Sequence, residues 1–209
     1  MVRDLLHLDV RTLIEKDFTE FTGVQKQAIP PITSGENVLV IAPTGSGKTE
    51  TALLPLLSKI VERKNAAAAK GEKLKGIQVI YITPLRALNR DLMNRFEKWG
   101  KALGISISVR HGDTTPTERA KQRDDPPLFL ITTPETLQSV LIAPKLSDAL
   151  VHVRHVVVDE VHELYETKRG VQLALGLERL EHKTPHFQRI GLSATIGAPQ
   201  EVAKFLGKN

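Results

Sequence analysis

The 209-residue chain predicts an α/β domain built on a mostly parallel sheet with helices on both faces. Three observations lead there. Short β-branched runs alternate with longer helical patterns. Several of those runs are continuously apolar rather than alternating, as strands covered on both faces require. The succession of strand and helix also repeats along the chain, which calls for parallel strands joined by right-handed crossovers.

Residues 38–42 (VLVIA), 77–83 (IQVIYIT), 105–109 (ISISV), 128–132 (LFLIT), 153–158 (VRHVVV) and 188–193 (QRIGLS) read as strands. Helical patterns cover 48–63, 84–103, 117–123, 134–141 and 171–181, and a short helix is expected within 196–209. The alanine- and lysine-rich stretch 65–75 reads as an exposed loop or a frayed helix end. No repeat is visible, and one domain over 1–209 is expected.

Composition narrows the function. At 41% hydrophobic and 25% charged residues the chain is an ordinary globular one, and it contains no cysteine. Disulfide scaffolds, Cys-ligated metal sites and thiol catalysis are therefore excluded. Aromatic residues make up 4%, low for a binder that stacks bases on aromatic platforms. The charged N-terminus offers no secretory segment and no 18-residue apolar run follows, so a soluble, cytoplasmic protein without a membrane partner is expected. Net charge is +5, but residues 59–110 hold twelve basic and four acidic side chains. A polyanion on one face or a solvated surface would each account for that block.

In open α/β sheets ligands bind beyond the carboxyl ends of the strands. After the first run comes APTGSGKT at 42–49, then a helix. Thr44, Gly45, Ser46 and Gly47 form a loop whose glycines let the backbone turn its N–H groups inward, and the helix start adds positive potential for phosphate. Lys48 is expected to reach the β- and γ-phosphates of a nucleotide and the Thr49 hydroxyl to ligate Mg²⁺. After the run at 153–158 stands Asp159-Glu160-Val161-His162. Asp159 suits the second magnesium ligand opposite Thr49, and Glu160 a group that orients or deprotonates the attacking water. About twenty residues before the loop, Gln25 carries an amide whose donor and acceptor match N6 and N7 of adenine. The cofactors expected are ATP and Mg²⁺.

Together these motifs resemble superfamily 2 helicases of the DExH type. Gln25 stands at the adenine-reading motif, APTGSGKT at motif I, TPLRAL (83–88) at motif Ia, TTPET (132–136) at motif Ib, DEVH (159–162) at motif II and SAT (193–195) at motif III. HGDT at 111–114, the ITTPETL segment and DEVHELYETKRG at 159–170 look most like the Lhr (large helicase-related) group. The resemblance implies a RecA-like P-loop NTPase domain, an ATP-dependent helicase or translocase activity and a nucleic-acid partner, DNA, RNA or a hybrid. It also implies a role for His162 in motif II, and for Ser193 and Thr195 in linking nucleotide state to strand binding.

Thr83-Pro84 and Thr133-Pro134 each end a strand and open a helical pattern, with Thr as N-cap and Pro at the first helical position. Two such helix starts on one edge would hold successive backbone phosphates of one strand, with Arg86 adding a charge-assisted contact. The basic block would then centre on Arg86 and these helix starts, and the lysines of 59–75 would contribute solvated charge only. Such helicases need a second RecA-like domain carrying an arginine finger, for which the residues after Thr195 leave no room. The 209 residues alone are thus expected to bind ATP weakly, hydrolyse it negligibly and unwind nothing. A P-loop GTPase is disfavoured because no N-K-x-D motif is present. A non-catalytic nucleic-acid-binding module on the same fold is the remaining alternative.

Overall fold

The computed structural model describes residues 2–15, 20–88, 90–184, 186–194 and 197–207. Among them six strands form one sheet: β1 (Val38–Ile41), β2 (Val79–Ile82), β3 (Ile107–Arg110), β4 (Phe129–Thr132), β5 (His155–Val158) and β6 (Gln188–Ser193). Their order across the sheet is β1-β6-β5-β2-β4-β3, and every pairing is parallel. The continuously apolar strands β2, β4 and β5 are buried at every residue in the middle of the sheet. β1 and β3, at the two edges, are only partly covered.

Because successive strand side chains alternate between faces, the sheet feeds two cores. Val79, Tyr81, Val157 and Ile190 enter one, against α1 (Leu8–Ile14), α2 (Gly23–Ser34), α3 (Lys48–Ala68) and α4 (Arg90–Leu103). Ile80, Ile82, Val156 and Val158 enter the other, against α6 (Pro134–Ile142), α7 (Leu146–Ala149), α8 (Lys168–Lys183) and α9 (Pro199–Leu206). The remaining helix, α5 (Pro116–Asp124), starts with a capping box in which the Thr115 side chain accepts from the Glu118 amide and Glu118 reaches back to the Thr115 amide. No helix among the described residues is long and apolar enough to cross a membrane.

Two expectations need correction. The helical pattern over 84–103 is divided. Pro84 takes φ −58° and ψ 142°, a short 3₁₀ turn covers Leu85–Ala87, and α4 begins at Arg90. The cause lies in Thr83: its side chain is fully buried, and its Oγ1 meets no hydrogen-bond partner among the described residues. A hydroxyl turned into the core cannot cap the turn that follows, so no helix starts at Pro84.

The second correction concerns the basic block. Arg63 and Lys64 are not merely solvated. Lys64 Nζ donates to the carbonyls of Leu103 (2.6 Å) and Gly104 (3.2 Å), and the Arg63 guanidinium reaches Gln78 Oε1 and His155 Nε2, each at 3.4 Å. These contacts lie before β2, β3 and β5, at the amino ends of the strands. Lys73 and Lys75 line a groove at the same end, together with Lys145. Much of the positive charge therefore sits away from the edge where the Gly-rich loop lies, because α3 runs antiparallel to the strands and carries its last turns there. Alanines 66–68, strong helix formers, extend α3 beyond the expected residue 63 to Ala68.

Candidate nucleotide site

The carboxyl ends of β1, β6 and β5 stand side by side, which brings three separated sequence segments together. β1 leads into the loop 42–47 and then α3, β5 leads into Asp159, and β6 ends between them on Ser193. The loop turns twice through the left-handed region, at Gly45 (φ +80°) and Gly47 (φ +85°). At Gly47 a side chain would also collide with Gln25, whose Nε2 stands against the place of a Cβ. The Thr22 hydroxyl donates to the Ser46 carbonyl at 2.9 Å, pinning the loop to the start of α2. Thr44 and Gly45 are exposed at the loop's tip.

Lys48 is buried, and its Nζ donates to the carbonyls of Ala42 (2.6 Å) and Pro43 (2.9 Å). An ammonium has three donors, so one is left over. Gln25 is also buried and held: its Oε1 accepts from the Thr22 amide at 2.9 Å, and its Nε2 donates to the Gly47 carbonyl at 3.4 Å. The side chain expected to read adenine is thus a clamp between α2 and the loop, with one N–H uncommitted.

Asp159 follows β5 and is buried. Its Oδ1 accepts from the Glu160 amide at 2.9 Å, and its Oδ2 accepts from the Tyr81 phenol. Burial pushes the Asp159 carboxyl up to about 6, against the lowering effect of the phenol's hydrogen bond. Burial likewise pushes the Tyr81 phenol well above its ordinary value, with the Asp159 charge adding to it. Glu160 takes φ +51°, a backbone conformation that costs a non-glycine residue energy and recurs at functional sites. It brings Glu160 Oε2 to 3.5 Å from His162 Nδ1.

Ser193 meets both neighbouring segments. Its carbonyl accepts from the Ala42 amide at 3.1 Å, and its hydroxyl lies 3.0 Å from His162 Nδ1. The Ala194 amide also points at that nitrogen, at 3.5 Å. The end of the sixth strand thus meets the DEVH segment at His162. Thr195 lies outside the described residues.

At the far side of the same edge, Thr133 accepts from the Thr136 amide at 3.3 Å and caps α6, whose first residue is Pro134. Of the two helix starts expected to hold phosphates, the structure forms this one and replaces the other with the extended Thr83-Pro84 and its 3₁₀ turn. Arg86 lies in that turn, and its side chain is outside the described residues.

Sequence reasoning passed over two groups. Tyr81 reads as one more core residue of β2, although a buried phenol needs a partner. Glu50 reads as a first-turn acid of α3, yet it is buried and paired with Arg95 of α4. In each case the signal was a polar group inside a segment otherwise bound for the core.

The residues fit a nucleotide and its metal. The loop has the backbone turns that phosphate binding needs, and Ser46 Oγ is buried without a hydrogen-bond partner among the described residues. No cluster of three acidic or histidine side chains able to hold a metal exists among the described residues.

Fold and site define a RecA-like domain of the P-loop type. The sequence profile of the DEAD/DEAH box helicases matches residues 22–204, and the chain belongs to that family. It is 44% identical over 216 residues to the ATP-dependent helicase Lhr-Core of Methanothermobacter thermautotrophicus, covering 98% of this chain and 25% of that protein. To the Lhr helicase/uracil glycosylase of Escherichia coli it is 35% identical over 222 residues, covering 99% of this chain and 14% of that protein. The structure of Mycobacterium smegmatis helicase Lhr bound to ssDNA and AMP-PNP matches with a TM-score of 0.84 at 38% identity, over 96% of this chain and 26% of that one. The chain thus spans about a quarter or less of the length of these relatives.

Proposed function

We propose that residues 1–209 form one motor domain of an ATP-dependent helicase, binding ATP with Mg²⁺ at the β1–β5 edge and one nucleic-acid strand by its backbone. The observation that carries this reading is the convergence of Lys48, Thr49, Asp159 and Ser193 on one sheet edge, with the capped start of α6 farther along it. Lys48, Gly45, Ser46 and Gly47 hold the phosphates, Thr44 borders them, and Gln25 sets the loop's position beside the base. Thr49 and Asp159 hold Mg²⁺, which when bound neutralises charge on the β- and γ-phosphates. Glu160 orients and deprotonates the attacking water, and its carboxylate is kept near His162. His162 and Ser193 carry the nucleotide state across β6, with Thr195 two residues beyond Ser193.

Thr83, Pro84, Arg86, Thr133 and Pro134 form the strand-binding edge. At α6 the contact is a helix start that draws a backbone phosphate; at Thr83-Pro84 it is an extended turn. A second RecA-like domain is the partner that completes the hydrolytic site, and without it turnover is negligible. The relatives' own names support this assignment.

The test is fluorescence anisotropy of the 209-residue chain with labelled single-stranded DNA and RNA, with and without magnesium AMP-PNP. Strand affinity that changes with the nucleotide and is insensitive to base sequence is expected. Strand binding indifferent to nucleotide, or none under any condition, would remove the motor-domain reading.

A further inference from the structure

Tyr81 lies against Asp159, one of the two side chains assigned to Mg²⁺. Its phenol donates to Asp159 Oδ2. The ring is fully buried, edge-on to Phe96 at 5.5 Å and stacked on Phe129 at 6.3 Å. The strand beneath it is fixed to the strand that carries Asp159: β2 pairs with β5, and the Asp159 amide donates to the Ile82 carbonyl at 2.8 Å. The Tyr81 phenol and the Asp159 carboxylate are therefore held against each other from two paired strands.

We propose that Tyr81 is a positioning residue of the magnesium site, setting the orientation of Asp159. The inference rests on the reading of Asp159 as a ligand of the metal. On the carboxylate, Tyr81 occupies one acceptor position of Oδ2 while the Glu160 amide occupies one of Oδ1, which fixes the plane and leaves one acceptor position on each oxygen. Outer partners of this kind orient ligands and contribute about 10- to 100-fold to metal affinity. The Tyr81 ring is braced by α4, which supplies Phe96.

Two measurements test it. The chain has two tyrosines, Tyr81 and Tyr165, the latter packed against Phe205 beside α9. With 3-fluorotyrosine in both, and Tyr165→Phe to assign the signals, addition of Mg²⁺ to the AMP-PNP-bound chain should shift the ¹⁹F resonance of Tyr81 and leave that of Tyr165 in place. In Tyr81→Phe, which keeps the ring and loses the hydroxyl, the Mg²⁺ concentration at half-maximal nucleotide binding should rise about 10- to 100-fold, with metal-free nucleotide affinity unchanged. A Tyr81 resonance that ignores Mg²⁺, or a wild-type magnesium midpoint in Tyr81→Phe, overturns the inference alone, provided the wild type binds magnesium AMP-PNP. A wild type that binds no nucleotide overturns both the inference and the motor-domain reading.

Discussion

The Gln25 side-chain amide donates to the Gly47 carbonyl at 3.4 Å and fills the space in which a Cβ at Gly47 would sit. Two elements separated in sequence thereby share one constraint: α2 can keep its capping box only if the loop keeps a glycine.

Gly47→Ala is expected to destabilise the chain by about 1–2 kcal/mol from the left-handed backbone alone, and by more from the collision. Adding Gln25→Ala should relieve the collision but not the backbone cost, so the double variant should be less destabilised than the sum of the two singles. Urea unfolding of the four proteins measures this; strict additivity would mean that the contact carries no energy.

The two Thr-Pro pairs should behave differently. Thr133→Ala removes a helix cap and should cost about 1 kcal/mol. Thr83→Val removes a buried hydroxyl that has no partner among the described residues, so stability should stay level or rise. Equal losses at the two positions would show that Thr83 is a cap after all.

Acid should expose two opposed groups. His155 is bonded at Nδ1 to Gln188 Oε1 (2.9 Å), and burial pushes its imidazole down to about 4 from 6.5. Between those pH values the unfolded chain binds a proton that the folded chain refuses, so this residue adds about 3 kcal/mol as pH rises to 6.5. Asp159, raised to about 6 from 3.8, does the reverse: its contribution is fully present below 3.8 and about 3 kcal/mol is lost as pH rises through 6. In metal-free buffer the wild-type melting temperature should therefore owe little net slope to this pair between pH 4 and 6. His155→Gln should make stability fall with rising pH, and Asp159→Asn should make it rise. Parallel slopes in the two variants would contradict these assignments.

Strand binding should be electrostatic and few-contact. With one capped helix start and the Thr83–Leu88 turn, two or three phosphate contacts predict a slope of about −1 to −2 in log affinity against log salt on single strands. Homopolymers of different base should bind alike. A marked base preference would mean that side chains read base edges, which a backbone-gripping edge does not do.

The fold and the centre of the site were legible in the sequence because both are written locally. The aliphatic strands at 79–82, 129–132 and 155–158 declare their burial, and the glycines at 45 and 47 declare the loop. Pairing partners are not written locally. Nothing near Ser193 in the chain shows that β6 runs between β1 and β5 and so brings its hydroxyl to His162. Tyr81, Glu50 and Arg95 were illegible for the same reason, each depending on a neighbour brought up by the sheet order. Pro30 and Pro31 sit inside α2, which ends on Gly35 at φ +92°. Thr83 shows how an identical dipeptide fails to cap when its hydroxyl is turned into the core.

The central claim is that Lys48 and Asp159 serve one magnesium–nucleotide site. Its most direct test is equilibrium binding of a fluorescent ATP analogue to the 209-residue chain, with and without Mg²⁺. The account predicts weak, saturable, magnesium-dependent binding. Lys48→Ala should weaken it about 10- to 100-fold, as expected for losing a charged hydrogen bond, and Asp159→Asn should abolish the magnesium dependence. Binding equal in the wild type and both variants, or none in the wild type, would contradict it.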